Sequence, residues 1–227
     1  MMSLLGFIHE TLPSRVVFGV GTLSALPEEA DRLGMGRALV LTTPEQAEQG
    51  RRVCDLLGSR GAGLFSGARM HTPTDVSEDA CARVRELGAD GVIAIGGGST
   101  TGLAKAIALR TDLPQIVIPT TYAGSEVTPI LGETENGLKV TQRSLKVLPE
   151  TVIYDVELTL GLPVSLSVTS GLNAIAHAAE ALYAPGVSPV VAMMAEEGVR
   201  AMVAALPRLA GDPRDVAARS DALYGAW

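Results

Sequence analysis

The chain has 227 residues, 47% of them hydrophobic and 4% aromatic, with a formal net charge of −7. That length allows one large core or two small ones, and the acidic balance argues against a basic nucleic-acid-binding face. No run of about 18 apolar residues is present, so no membrane span is expected. The two cysteines, Cys54 and Cys81, form no CxxC pair, which predicts reduced thiols in a cytoplasmic protein. The N-terminus has no basic segment followed by a long apolar run, so no signal peptide is expected.

Strand and helix patterns alternate along the first two thirds of the chain. Arg15–Phe18 reads as a strand, and Thr22 is placed to cap a helix over Leu23–Leu33 that Gly34 ends. A buried strand follows at Ala38–Thr42, then a helix from Thr43-Pro44 to about Leu57. Leu64-Phe65 is a weak third strand. Pro73-Thr74-Asp75 opens a helix carrying Val76, Ala80, Val84 and Leu87. Gln115–Pro119 and Val152–Asp155 are further strands, and Glu135-Asn136-Gly137 is a hairpin turn between Leu131–Thr134 and Leu138–Val140. This alternation predicts an α/β layer with a mostly parallel sheet. Beyond Leu158 to Leu162 no strand pattern remains. A long helix runs from Leu162-Pro163 through Tyr183, and a second from about Ser188 to Leu206. The expected domains are therefore 1–160, α/β, and 161–227, all helical. The first of these helices is apolar around much of its circumference, at Leu166, Val168, Leu172, Ile175, Ala176 and Leu182. Such a helix expects neighbours on several sides or exposes an apolar patch.

The stretch Gly91–Lys105 organises the rest. An apolar, β-branched strand leads into Gly96-Gly97-Gly98-Ser99, and a helix begins near Ser99 or Thr100. Glycines allow close approach to a ligand, and the N–H groups of a helix start favour an anion. The pattern is neither a P-loop nor the spaced glycines of a standard Rossmann turn. A second polar loop, Pro119–Pro129, follows the next strand, where open α/β sheets bind ligands.

Four stretches in order resemble the iron-containing (group III) alcohol dehydrogenase superfamily: Phe18-Gly19-Val20-Gly21, the GGGS turn, Pro119–Thr128, and Ser170–Glu180. The resemblance implies a dehydroquinate synthase-like fold, a nucleotide-binding α/β domain followed by a helical one, with the active site in the cleft between them. It implies that Gly97, Gly98 and Ser99 meet the pyrophosphate of NADH or NADPH. It further implies that Thr120, Thr121, Ser125 and Val127 line the nucleotide and that Lys139 reaches it. The loop at Thr42-Thr43 would face the adenosine ribose, and it carries no acid to repel a 2′-phosphate.

Two departures narrow the resemblance. The metal-dependent members have Asp and His four residues apart on one helix face. Here the pair is Asn173 and His177, and a neutral amide is a poor metal ligand in place of a carboxylate. Gly102 stands where the alcohol dehydrogenase pattern has Asp. Both changes resemble the maleylacetate reductase subfamily. That resemblance implies reduction of maleylacetate to 3-oxoadipate without a metal, with His177 and Asn173 as the catalytic candidates. On its own, a lone histidine in an apolar helix is more often a hydrogen-bonded core residue. Superfamily chains continue well past Trp227, so the resemblance also implies a fragment of a homodimeric, cytoplasmic parent, its helical domain incomplete. The alternatives are a metal-dependent alcohol dehydrogenase of the same superfamily, or an inactive nucleotide-binding remnant.

Overall fold

The computed structural model describes Phe7 and His9–Trp227. The first residues of the expected 1–160 domain, and much of the segment judged to lack a signal peptide, lie outside the described residues. Among those described, no helix is long and apolar enough to cross a membrane.

Six parallel strands form one sheet. They are β1 (Arg15–Gly19), β2 (Ala38–Leu41), β3 (Gly61–Phe65), β4 (Gly91–Gly96), β5 (Gln115–Pro119) and β8 (Thr151–Asp155), in the order β1-β8-β5-β4-β2-β3. A separate antiparallel hairpin joins β6 (Ile130–Glu135) to β7 (Leu138–Arg143). Asn136 and Gly137 both have positive φ at its turn, the requirement of a two-residue primed turn. The α/β expectation is borne out.

Alternate strand residues feed two cores, one on each face. Leu39, Leu41, Val92, Ala94 and Val117 pack against α3 (Thr74–Leu87) and α4 (Gly98–Thr111). Val40, Ile93, Ile95, Ile116, Ile118 and Ile153 pack against α1 (Leu26–Arg32) and α2 (Ala47–Leu57). Helices on both faces explain why the central strands are continuous apolar runs rather than alternating ones. β4 is buried along its whole length.

The chain divides into two compact units. The sheet unit comprises Ser14–Thr120 and Gly124–Leu158. The helical unit comprises Thr121–Ala123 and Thr159–Trp227, with the described residues before Ser14. It contains α5 (Val164–Tyr183), α6 (Pro189–Gly211) and α7 (Val216–Ala226). Met202, Ala205, Leu206, Leu209, Ala218, Ala222 and Leu223 are among its buried apolar residues. A Cβ at Gly171 of α5 would stand 2.7 Å from Leu206 of α6, so glycine is what lets these helices approach. Leu166, Leu172 and Leu182 of α5, with Tyr183, Met193 and Val203, are exposed.

Three local expectations need correction. Thr22 does not cap a helix. Its hydroxyl donates to the carbonyls of Gly19 (3.2 Å) and Tyr154 (3.0 Å), and a short 3-10 turn, Thr22–Ala25, precedes α1. The helix from Ser188 continues through Pro207 to Gly211 instead of stopping at Leu206. The third correction is α7, which its own apolar periodicity does not announce. Its inward face includes Arg219, and its start is marked by Asp215, whose carboxylate accepts the Ala218 N–H at 3.0 Å.

Candidate functional site

The strand order reverses between β2 and β4. From β2 the chain moves outward to β3; from β4 it moves the other way, to β5 and β8. Helix α2, after β2, lies on one face, and α4, after β4, lies on the other. The two connections therefore part at the carboxyl ends of these neighbouring strands, and that divergence makes a crevice where open α/β sheets take their ligands.

The GGGS turn sits at this point. Gly96 ends β4 with φ 147, and a Cβ there would meet Gln46 Oε1 at 2.5 Å and Thr100 Oγ1 at 2.7 Å. No other residue type fits. Gly97 is extended (φ −91, ψ −159), and α4 begins at Gly98, one residue earlier than the sequence pattern suggests. Thr100 and Thr101 both turn their hydroxyls to the Gly97 carbonyl, at 2.8 and 3.2 Å. No side chain among the described residues caps α4, and its first turn holds no acidic residue. Its N–H groups and the positive end of its dipole are thus available to an anion, with Gly98 exposed and Ser99 half-buried.

Segments from β2 and β5 close around this turn. The Thr120 N–H donates to the Gly96 carbonyl at 2.9 Å, and Gln46 Nε2 donates to Thr120 Oγ1 at 3.1 Å. Gln46 is a site-wall residue that the sequence analysis missed. Thr42 Oγ1 and Ser125 Oγ are buried without a hydrogen-bond partner among the described residues. Two unpartnered hydroxyls, a glycine cradle and an uncapped helix start fit a dinucleotide.

The loop after β5 is held by buried charge. Lys105, on α4 and 1% exposed, donates to the carbonyls of Ser125, Thr128 (2.6 Å) and Ile130 (2.9 Å) and to Thr128 Oγ1 (3.1 Å). Burial brings its pKa down to about 8, with the Glu126 charge opposing. Glu126 is itself buried, which raises its pKa; its carboxylate accepts the Tyr154 hydroxyl at 2.8 Å. Burial, reinforced by Glu126, pushes Tyr154 well above the usual phenol range. So α4 and β8 grip the segment carrying Ser125 and Val127. None of these three anchors was anticipated, because each lies in an apolar or loop pattern with no local signal.

The remaining predicted residues are spread out. Thr121 is half-buried, in the helical unit, and Lys139 is exposed on β7. Asn173 and His177 lie one turn apart on α5, both exposed, with His177 Nδ1 3.4 Å from Glu180 Oε2. His177 is not buried among the described residues. Among the described residues, no group of three or more His, Cys, Asp or Glu is gathered that could hold a metal ion. The described residues do not fit a complete metal centre. Cys54 and Cys81 are free thiols.

Fold and crevice together define a doubly wound α/β protein with an uncapped helix start at its switch point. Residues 13–156 match the family described as iron-containing alcohol dehydrogenase, and residues 167–227 match the C-terminal domain of the same family. The chain belongs to the iron-containing alcohol dehydrogenase family. Over 221 residues it is 61% identical to maleylacetate reductase of Rhizobium sp. (strain MTP-10005), covering 97% of this chain and 63% of that protein. Maleylacetate reductase of Burkholderia cepacia is 59% identical, with the same coverage of both. The crystal structure of maleylacetate reductase from Agrobacterium tumefaciens is 58% identical, with a TM-score of 0.97 over 99% of this chain and 64% of that one. The chain thus spans about 63% of the length of the curated relatives it matches.

Proposed function

We propose that this chain is the nucleotide-binding part and the first helices of an NAD(P)H-dependent maleylacetate reductase. The reaction reduces maleylacetate to 3-oxoadipate in the breakdown of aromatic and chloroaromatic compounds. Residues 1–160 form the NADH- or NADPH-binding domain, and residues 161–227 begin the helical catalytic domain. The whole protein is a cytoplasmic homodimer. The observation that carries this reading is the uncapped start of α4 at the β2/β4 switch point, in a chain so similar to reductases of that name.

In this reading Gly97, Gly98 and Ser99 hold the pyrophosphate by backbone N–H groups. Thr120, Thr121, Ser125 and Val127 line the nucleotide, and Lys139 reaches it. When bound, the reduced nicotinamide supplies a hydride to the substrate alkene. Negative charge then collects on the ketone oxygen as an enolate, and a proton at the adjacent carbon completes the reduction. Asn173 and His177 can donate hydrogen bonds to such an oxygen, which stabilises it without a cation. Thr42-Thr43 presents no acid, so both NADH and NADPH are accepted.

The turn is tested by Gly97→Val. Its φ of −91 suits any L-residue, so the variant is expected to fold. The branched side chain then blocks close approach of the pyrophosphate. NADH fluorescence titration should show at least a tenfold weaker Kd, about 1.4 kcal/mol. Unchanged affinity in a folded variant would take the turn out of the site.

A second reading, a metal-dependent alcohol dehydrogenase, is favoured by the family's iron. Asn173 speaks against it. Activity of the full-length parent is expected to survive exhaustive chelation; loss with EDTA and recovery with Fe²⁺ or Zn²⁺ would establish the metal-dependent reading instead.

A further inference from the structure

Among the described residues, His71 (φ 65) and Thr72 (φ 47) are the one consecutive pair of non-glycine residues with positive φ. The other two, Asp112 and Asn136, stand singly and are of types that tolerate this conformation. Threonine is β-branched and does not. Such strain persists where the surroundings over-determine it, and it clusters at functional sites.

The surroundings here are specific. The Thr72 N–H donates to the Arg69 carbonyl at 3.2 Å, and the Thr72 carbonyl accepts the Thr134 N–H at 3.1 Å. Pro73 pairs with Thr134 in a parallel bridge, so β6 grips the turn. Thr72 is 5% exposed and its side chain lies against α4: a Cβ on Gly102 would stand 2.2 Å from Thr72 Oγ1. Gly102 is four residues after Gly98 and shares its helix face. The space that a side chain at 102 would take, one turn from the anion-accepting helix start, is taken by a hydroxyl from another segment.

We infer that Thr72 is a specificity-determining residue: by occupying the place of a residue-102 side chain it keeps this face of α4 small and uncharged, which admits a dicarboxylate substrate. The inference rests on the function proposed above. In that function a dicarboxylate is received near the pyrophosphate, and each fixed negative charge nearby opposes it. A neutral hydroxyl does not.

The test uses the full-length parent, unaltered and with Gly102→Asp alone, Thr72→Gly alone, and Thr72→Gly combined with Gly102→Asp or with Gly102→Asn. Glycine at 72 accepts the backbone conformation and vacates the space. Readouts are the thermal midpoint, NADH titration, and binding of 3-oxoadipate and of monoanionic 4-oxopentanoate at saturating NADH. Gly102→Asp alone should melt well below the parent, and the two double variants should recover that loss. The Asn double should bind 3-oxoadipate within threefold of Thr72→Gly. The Asp double should bind it at least tenfold more weakly, while 4-oxopentanoate changes less than threefold. Equal 3-oxoadipate binding by the Asp and Asn doubles overturns the inference and leaves the proposed function standing. Parental melting of Gly102→Asp alone overturns it as well. A parent chain that binds no NADH defeats the proposed function, and the inference falls with it.

Discussion

Replacing Lys105 with methionine is expected to lower the thermal midpoint by roughly 6–12 °C, the shift that about 3 kcal/mol produces in a chain of this size. Methionine has nearly the same shape, so the change isolates the ammonium. Three backbone carbonyls, of Ser125, Thr128 and Ile130, lose a donor that is itself buried. Each orphaned group costs about 1–3 kcal/mol, partly offset because a buried charge is gone. The loop should loosen, and NADH affinity should fall with it. A Lys105→Met chain with parental midpoint and parental NADH affinity would show that the loop does not depend on this anchor.

The same lysine has a pH signature. Its folded pKa, about 8, is below the ordinary lysine value of 10.5. Between these values the unfolded chain holds more protons than the folded one, so this group's contribution to stability grows as pH rises. From pH 7.5 to 9.5 that growth is about 2 kcal/mol. Burial pushes the Cys54 and Cys81 thiols up, which works in the opposite direction over the same range. The measurement is therefore the difference in unfolding free energy between parent and Lys105→Met, in which the thiols cancel. It should shift toward the parent on going from pH 7.5 to 9.5. A flat difference would place the folded-state pKa at its ordinary value, and a shift the other way would place it above that value.

Arg219→Met is expected to destabilise the helical unit by about 3–4 kcal/mol. Arg219 is fully buried, and among the described residues no carboxylate is one of its hydrogen-bond partners. Its guanidinium donates to the Tyr122 hydroxyl (3.1 Å), Ser167 Oγ (2.7 Å), and the carbonyls of Leu162 (2.9 Å) and Pro213 (3.0 Å). One fork thus joins the start of α5, the α6–α7 connection and the Tyr122 loop. Lysine cannot reproduce that geometry, so Arg219→Lys should recover little. Hydrogen exchange gives the local readout. Amides of α7 and of the first turns of α5 should exchange faster in Arg219→Met, while β4 keeps its protection. Unchanged exchange in α7 would refute the anchor.

These anchors mark the limit of what was legible in the chain alone. The strands at Ala38–Leu41, Gly91–Gly96 and Gln115–Pro119 were readable because each is a short apolar run between turn signals. The Asn136-Gly137 turn was readable because few residue pairs accept two positive φ values in succession. Helix α7 was not, because a buried arginine interrupts its apolar face. Lys105 was placed on the right helix, but nothing in its neighbours says that an ammonium faces inward to carbonyls twenty or more residues away.

By itself, the sequence determined the order of the main strands and helices up to α6 and the glycine turn that leads into α4, and it placed Asn173 and His177 one turn apart on α5. Periodicity, turn chemistry and residue type act over a few neighbouring positions, and all of these features are that local. Tertiary structure alone decided that β2 and β4 lie side by side with their helices on opposite faces, which creates the crevice. It also decided that Thr72 stands against Gly102, and that Arg219 reaches Tyr122 across 97 positions of chain. Such contacts form only when the packing of whole elements brings distant segments together, and no local pattern encodes which polar group will be there to meet them.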